Sequence, residues 1–233
     1  MVDLVIILIL AIALLAGYYR GVIYSALSLG VSILSFALAL MLCTTLSGAV
    51  QKRQSLYEMM LYYFEGYEYI NETSVELVHV SVAQVGDKEL SVVVKNADMP
   101  SPFDRAVTNN VKKQVYEDRG IYSLGDYFNQ TMVDTVLNIL SLLLLFLVFR
   151  LLLGFVLRLI DFGAAGLPRL RRLDVPLSCG IGLLHGIFLV FVLFMLVPLA
   201  LVVVPRLSKF LEESLMGEFF YKGNLLLRMV PTI

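Results

Sequence analysis

The sequence predicts an all-α membrane protein with four transmembrane helices, arranged as two hairpins that flank a polar extracytoplasmic insert. Three observations carry this. Of 233 residues, 59% are hydrophobic and 16% charged, against roughly 45–50% and about 25% in a soluble domain. Residues 4–19, 21–51, 135–149 and 175–205 contain no Asp, Glu, Lys or Arg, and a helix crossing the hydrocarbon core needs about 20 mostly apolar residues. The 82 residues 51–132 carry 8 basic and 12 acidic side chains, a net charge of −4, and are too polar to lie in lipid.

The same arithmetic removes several function classes. A net charge of −1 provides no basic field for nucleic acid. Cys43 and Cys179 both sit in apolar runs, which excludes a disulfide framework or a cysteine-rich metal site. His79 and His185 are too few and too scattered for a zinc cluster. There is no nucleophile motif, phosphate-binding loop or paired metal ligand. No catalytic, cofactor-binding or metal residue is assigned, and the chain reads as a non-enzyme without a cofactor.

The first hairpin follows from length. A straight helix over residues 2–46 would be about 65 Å long, more than twice a hydrocarbon core. The chain must fold back, and Tyr19-Arg20-Gly21 offers the break. This places helices over Val2–Tyr19 and Val22–Leu46, with Arg20 at the tip. A secretory signal peptide needs a basic start and a small-residue cleavage site. Here Val2 and Asp3 open the chain and the first basic residue is Arg20, so the first run is expected to remain as a membrane helix. Residues 1–50 form transmembrane hairpin 1.

The insert spans residues 51–132. Within Leu56–Tyr69, Tyr57, Tyr62, Tyr63, Phe64, Tyr67 and Tyr69 read as an aromatic collar at the membrane–water interface rather than a ligand site. Residues 75–95 are Val-rich and fit strand or helix by pattern. Ser101-Pro102-Phe103-Asp104 places a cap, a proline at the first helical position and an acid in the first turn, predicting a helix from Pro102 to about Glu117. Ser123-Leu124-Gly125-Asp126 repeats that logic and opens the helix leading into the third span.

The second hairpin covers residues 133–205, with helices over Val133–Ile160 and Leu177–Val204. Pro198 should kink the last turns of the second, and Pro205 should stop it. The tail, 206–233, is expected to be an amphipathic juxtamembrane helix with Leu207, Phe210, Leu211, Leu215, Phe219 and Phe220 near one face.

Inside the apolar runs a few residues stand out. Ser178, Gly182 and Gly186 recur every fourth place, a groove in which another helix backbone approaches closely. Ser25, Ser28, Ser32 and Ser35 put hydroxyls on one stripe of the second helix. Both are read as helix-packing seams; lining a polar path is the functional alternative. Arg150 lies inside an apolar run at a cost of roughly 2.5–3.5 kcal/mol if held at the bilayer centre. Snorkelling to the nearby end accounts for it; a functional role would need a partner from another helix, because Asp134 and Asn138 are too far along its own. His185 reads first as a hydrogen-bonded interface residue. Arg20, Arg150 and His185 are the candidate polar functional positions.

Two segments together resemble a known family. Gly17-Tyr18-Tyr19-Arg20-Gly21 is followed by Ala26-Leu27-Ser28-Leu29, and Leu173-Asp174-Val175-Pro176-Leu177-Ser178-Cys179-Gly180-Ile181-Gly182-Leu183-Leu184-His185-Gly186 opens the last helix. This resembles the colicin V production protein (CvpA-type) family of bacterial inner-membrane proteins. That family shows an Arg-Gly step between its first helices and glycine at every fourth place in its last. Val175 stands where the family has Arg, Ser178 where it has its first Gly, and His185 where it has Lys or Arg. The resemblance covers both hairpins and implies a mostly helical insert, tilting 75–95 toward helix. It implies an accessory or assembly role in toxin production, secretion or envelope homeostasis, and no catalytic residues come with it. The partners expected are the lipid bilayer and other membrane proteins or a second copy. The alternative is a small oligomeric channel or transporter.

Arginine-rich short loops stay in the cytoplasm. Arg158, Arg169, Arg171 and Arg172 then place that loop, and by parity Arg20, inside, with both termini and the insert outside. Lys52, Arg53, Arg206 and Lys209 pull the other way. A reporter that works only in the cytoplasm should be silent when fused after residue 233; strong activity there would reverse the topology.

Overall fold

The computed structural model describes residues 2–63, 66–70, 72–159, 174–204 and 206–231. Among them there is no β-strand, and one isolated antiparallel bridge links Ser81 to Ser123. Ten α-helices are described: α1 (Val2–Gln51), α2 (Gln54–Tyr63), α3 (Asp87–Asn96), α4 (Phe103–Lys112), α5 (Leu124–Leu159), α6 (Asp174–Phe194), α7 (Val197–Val203), α8 (Leu207–Glu212), α9 (Leu215–Lys222) and α10 (Leu225–Arg228). Three stretches are long and apolar enough to cross a membrane: Val2–Gln51, Leu124–Leu159 and Asp174–Val203. Asp161, Arg169, Arg171 and Arg172 of the arginine-rich loop, together with Phe64 and Pro205, fall outside the described residues.

α1 is interrupted at Gly21, whose φ of 74° and ψ of 169° lie in a region essentially restricted to glycine. This is the expected break. Residues eight apart in a straight helix are about 12 Å apart along its axis, yet the Ser25 hydroxyl donates to the Gly17 carbonyl at 3.5 Å across Gly21. The chain therefore reverses here, giving a first arm (2–20) and a second arm (22–51). The second arm runs to Gln51, one turn past the expected Leu46.

The chain packs as two compact units, Met1–Leu42 with Leu142–Val197 and Pro205–Leu226, and Cys43–Ser141 with Pro198–Val204 and Leu227–Ile233. In the first, α6 ends where Pro198 requires it. A proline cannot donate to the carbonyl four residues back and collides with it, so the N–H groups of Met195 and Leu196 turn to Val192 and Leu193. The Phe191 carbonyl, which Met195 would otherwise use, accepts from the Asn224 amide at 2.9 Å.

The tail differs from the single amphipathic helix expected. It is three short helices, with Leu211 and Phe220 buried but Phe210, Leu215 and Phe219 more than half exposed. Ser214 breaks the run. Its backbone is extended (φ −110°, ψ 112°) and its hydroxyl caps α9 by accepting from Gly217. Asp3 joins the cap, accepting from the Ser214 hydroxyl at 2.8 Å and the Met216 N–H at 2.9 Å. A carboxylate at a helix N-terminus is favoured by the exposed N–H groups there.

The second unit holds a core of Leu90, Val93, Phe103, Val107, Val111, Tyr116, Tyr127 and Phe128, among others. Residues 75–95, left open between strand and helix, form 3₁₀ turns at Glu72–Leu77 and Val82–Gln84 and then α3. α4 buries Phe103, Ala106, Val107, Asn110 and Val111, the three- and four-residue spacing of an amphipathic helix. It starts at Phe103 with Pro102 as its cap and stops at Lys112, five residues short of the expected Glu117. Gln114 takes a left-handed φ of 51°, which turns the chain so that Tyr116 enters the core. Ser123 caps α5 as expected, accepting from the Asp126 N–H at 3.1 Å.

A buried carboxylate gathers this unit. Asp134 is 1% exposed and accepts from Tyr57 at 2.7 Å, Tyr116 at 2.9 Å and Gln51 at 3.0 Å, with Arg119 at 3.9 Å. Tyr57 also accepts from Gln130. The expected collar is therefore divided: Tyr62 and Tyr63 are exposed, whereas Tyr57 is an inward hydrogen-bond donor.

Burial, followed by the charge of Asp134, pushes the phenol pKa of both Tyr57 and Tyr116 well above the ordinary 10.0. The unfolded chain ionises them first, so their stabilising contribution is whole below pH 10 and falls as pH rises beyond it. Tyr116→Phe should lower stability at about pH 8 by roughly 1.5–3 kcal/mol, the worth of a hydrogen bond to a charged group, and flatten the further loss toward about pH 11. Thermal melts followed by circular dichroism in detergent check both; an unchanged alkaline slope would contradict the assignment.

Candidate functional site

The residues singled out in the apolar runs meet in the first unit, where both arms of α1 lie against α6. Ser178, Gly182 and Gly186 are buried on one face of α6. A Cβ on Gly182 would stand 2.6 Å from the Ala13 carbonyl oxygen and 2.9 Å from the Gly17 Cα. One on Gly186 would meet the Ala13 Cβ at 2.6 Å, and one on Gly17 would collide with the Ser178 carbonyl. As α6 rises from 178 to 186 its neighbours fall from 17 to 10, so it is antiparallel to the first arm. The seam is filled from within the chain.

The second arm runs parallel to α6. Asp174, at the start of α6, accepts from the Val22 N–H at 3.2 Å, satisfying one of the free donors that open any helix. Further along, Ser32 Oγ lies 2.8 Å from His185 Nε2. Phe36, Phe146 and Phe188 then join the second arm, α5 and α6, with ring centroids 6.0–6.3 Å apart.

The serine stripe is wholly buried but faces more than one neighbour. Ser32 and Ser35 donate back to the carbonyls of Ser28 and Val31, at 3.0 and 2.6 Å, the i−4 return bond available to serine in a helix. Ser28 Oγ accepts from the Arg150 guanidinium of α5 at 2.9 Å. Arg150 thus has a partner from another helix, and it is a hydroxyl rather than a carboxylate. Its Nη1 lies 2.9 Å from the place a Cβ on Gly154 would take, so the glycine makes room for the guanidinium along the helix. Arg20 lies 5.6 Å from the centre of the Tyr24 ring.

Two cavities border these groups. One of 240 Å³ is lined by Ala13, Gly17, Arg20, Ser28, Gly182 and His185, among others. The second, of 440 Å³, is lined by Arg20, Tyr24, Ser28, Arg150, Gly154 and Arg158, with Leu151, Phe155 and Leu157. Arg20 and Ser28 belong to both.

The chemistry on offer is donation. The Ser32 hydroxyl stands between the Ser28 carbonyl at 3.0 Å and His185 Nε2 at 2.8 Å, so the direction of the Ser32–His185 bond follows the imidazole tautomer. Among the described residues no group of three or more His, Cys, Asp or Glu could hold a metal ion. Sequence reasoning missed Gly17 as the seam's opposing surface, Asp174 as a cap, and Gly154. It weighed Asp134 only against Arg150, whereas Asp134 is bound by Tyr57 and Tyr116. The signal for Gly17 was present: it stands one turn before the Arg20-Gly21 step.

The chain matches the family described as colicin V production protein over residues 2–82, which supports the resemblance. The match includes the Gly17–Leu29 segment; Leu173–Gly186 lies outside the matched residues. No match is found among curated proteins or solved structures.

Gly182→Leu should destabilise the first unit by about 1–3 kcal/mol, the usual cost of overpacking. Gly180→Leu should be close to neutral, because a Cβ there meets nothing within 4 Å. Melting temperatures of the two variants in the same detergent make the comparison; equal losses would contradict the seam.

Proposed function

We propose that the chain is a four-span inner-membrane protein that acts as a non-enzymatic accessory or assembly factor in toxin production and secretion or in envelope homeostasis. The match to the colicin V production family over residues 2–82 carries this reading. The count of four rests on the reversal at Gly21. A first arm of residues 2–20 is about 28 Å long at 1.5 Å per residue, close to the roughly 30 Å hydrocarbon thickness.

The role is exercised through contacts with the bilayer and with other membrane proteins or a second copy, not with nucleic acid. Because the glycine seam is occupied from within, those contacts fall to the outer faces and the insert. Leu4, Leu8 and Leu15 on the first arm and Leu144 and Leu147 on α5 are more than half exposed and suit lipid or a neighbouring helix. The termini and the insert lie outside.

Removing the chain from a bacterium that exports a peptide toxin should reduce released toxin several-fold without lowering its transcript, or make the cell several-fold more sensitive to detergent. Restoring the wild-type chain should reverse the defect. Unchanged export together with unchanged sensitivity would overturn the role.

A further inference from the structure

Among the described residues, the 440 Å³ cavity of the first unit is lined by three arginines from two helices, Arg20 of α1 and Arg150 and Arg158 of α5, and by no carboxylate. Among the described residues none of the three belongs to a salt bridge. Guanidinium groups do not lose their protons in proteins, so three positive charges share one space. Arg158 has a separate reason to be where it is, since a cation in the last turn complements the helix dipole. Arg150 does not: it is half-buried, a full turn and more from the end of α5, and anchored by Ser28, itself 2% exposed. That bond uses one of the five donors of a guanidinium that also lines the cavity. Gly154 removes the side chain that would occupy the same ground.

The rim has a second character. Leu151 and Phe155 line the cavity and are each 64% exposed, so an apolar lip stands beside a cationic interior. The volume falls within the roughly 300–1,000 Å³ of small-molecule sites.

We propose that this cavity binds a phosphate group through Arg20, Arg150 and Arg158, with Leu151 and Phe155 bordering what the phosphate is attached to. A planar guanidinium matches the oxygen pairs of a phosphate in a bidentate manner, and basic pockets between membrane helices take anionic headgroups. The phosphate arrives either as a phospholipid headgroup or as a free ion. The site does not depend on the accessory role proposed above.

The test uses the full chain in an uncharged detergent. Bound molecules are counted by native mass spectrometry, and stability is followed by melting temperature. Three probes are compared: dioctanoyl phosphatidylglycerol, dioctanoylglycerol with the same chains and no phosphate, and inorganic phosphate. Phosphatidylglycerol should bind and stabilise while dioctanoylglycerol does neither; stabilisation by inorganic phosphate as strong as by the lipid would assign the free ion as the source. Arg20→Gln and Arg158→Gln, at exposed positions outside the packed seam, should each weaken binding roughly tenfold, the loss of a charge-assisted contact. Arg150→Lys keeps the charge without the fork and should weaken it too, while Lys209→Gln should not. Equal binding of the two lipids, no binding of any phosphate probe, or unchanged binding in the Arg20→Gln/Arg158→Gln variant with its melting temperature intact would overturn the proposal.

Discussion

The first unit depends on two helix backbones meeting with no side chain between them. In lipid, apolar side chains gain nothing by leaving the solvent, so helices hold together through close van der Waals contact and hydrogen bonds. Gly17 and Gly182 permit that contact, and Ser178 and Gly186 extend it along α6. The contact in turn requires the first arm to return beside the second, which the Gly21 conformation allows. Asp174 then closes the exposed start of the second arm. Reversal, close approach and cap are parts of one construction built within a few residues of each other.

Around that seam the polar groups have specific partners. Hydroxyls of the second arm return to their own carbonyls or meet Arg150 and His185. The carbonyl freed by the kink at the end of α6 is taken by Asn224. In the second unit Asp134 binds Tyr57, Tyr116 and Gln51, residues from three separate segments. Such economy follows from burial: a polar group shut away from water without a partner costs about 1–3 kcal/mol, a sizeable share of the stability of a small fold.

The reversal at Gly21 was legible because one length argument forces it. The start of α5 was legible because Ser123 and Asp126 satisfy a local rule. The end of α4 was not, since it turns on the left-handed backbone of Gln114, a residue with no strong preference for it. The tail misled for a related reason. Its apolar spacing suits one helix, but Ser214 is drawn into a cap by Asp3, and periodicity does not register a partner so distant. The glycine spacing showed that a seam exists without showing which helix fills it. Tyr57 looked like its neighbours on the interface; only the fold separates it from Tyr62 and Tyr63 by placing Asp134 within its reach.

The cap that Asp3 places on α9 joins residues separated by 211 positions. During synthesis the first turn of α1 enters the membrane long before Ser214 leaves the ribosome. The tail can take its final form only after the preceding helices have been inserted and the first arm is in place. Docking of the tail onto Asp3 therefore comes late in assembly, because it needs a residue made early and a helix cap made 211 residues later.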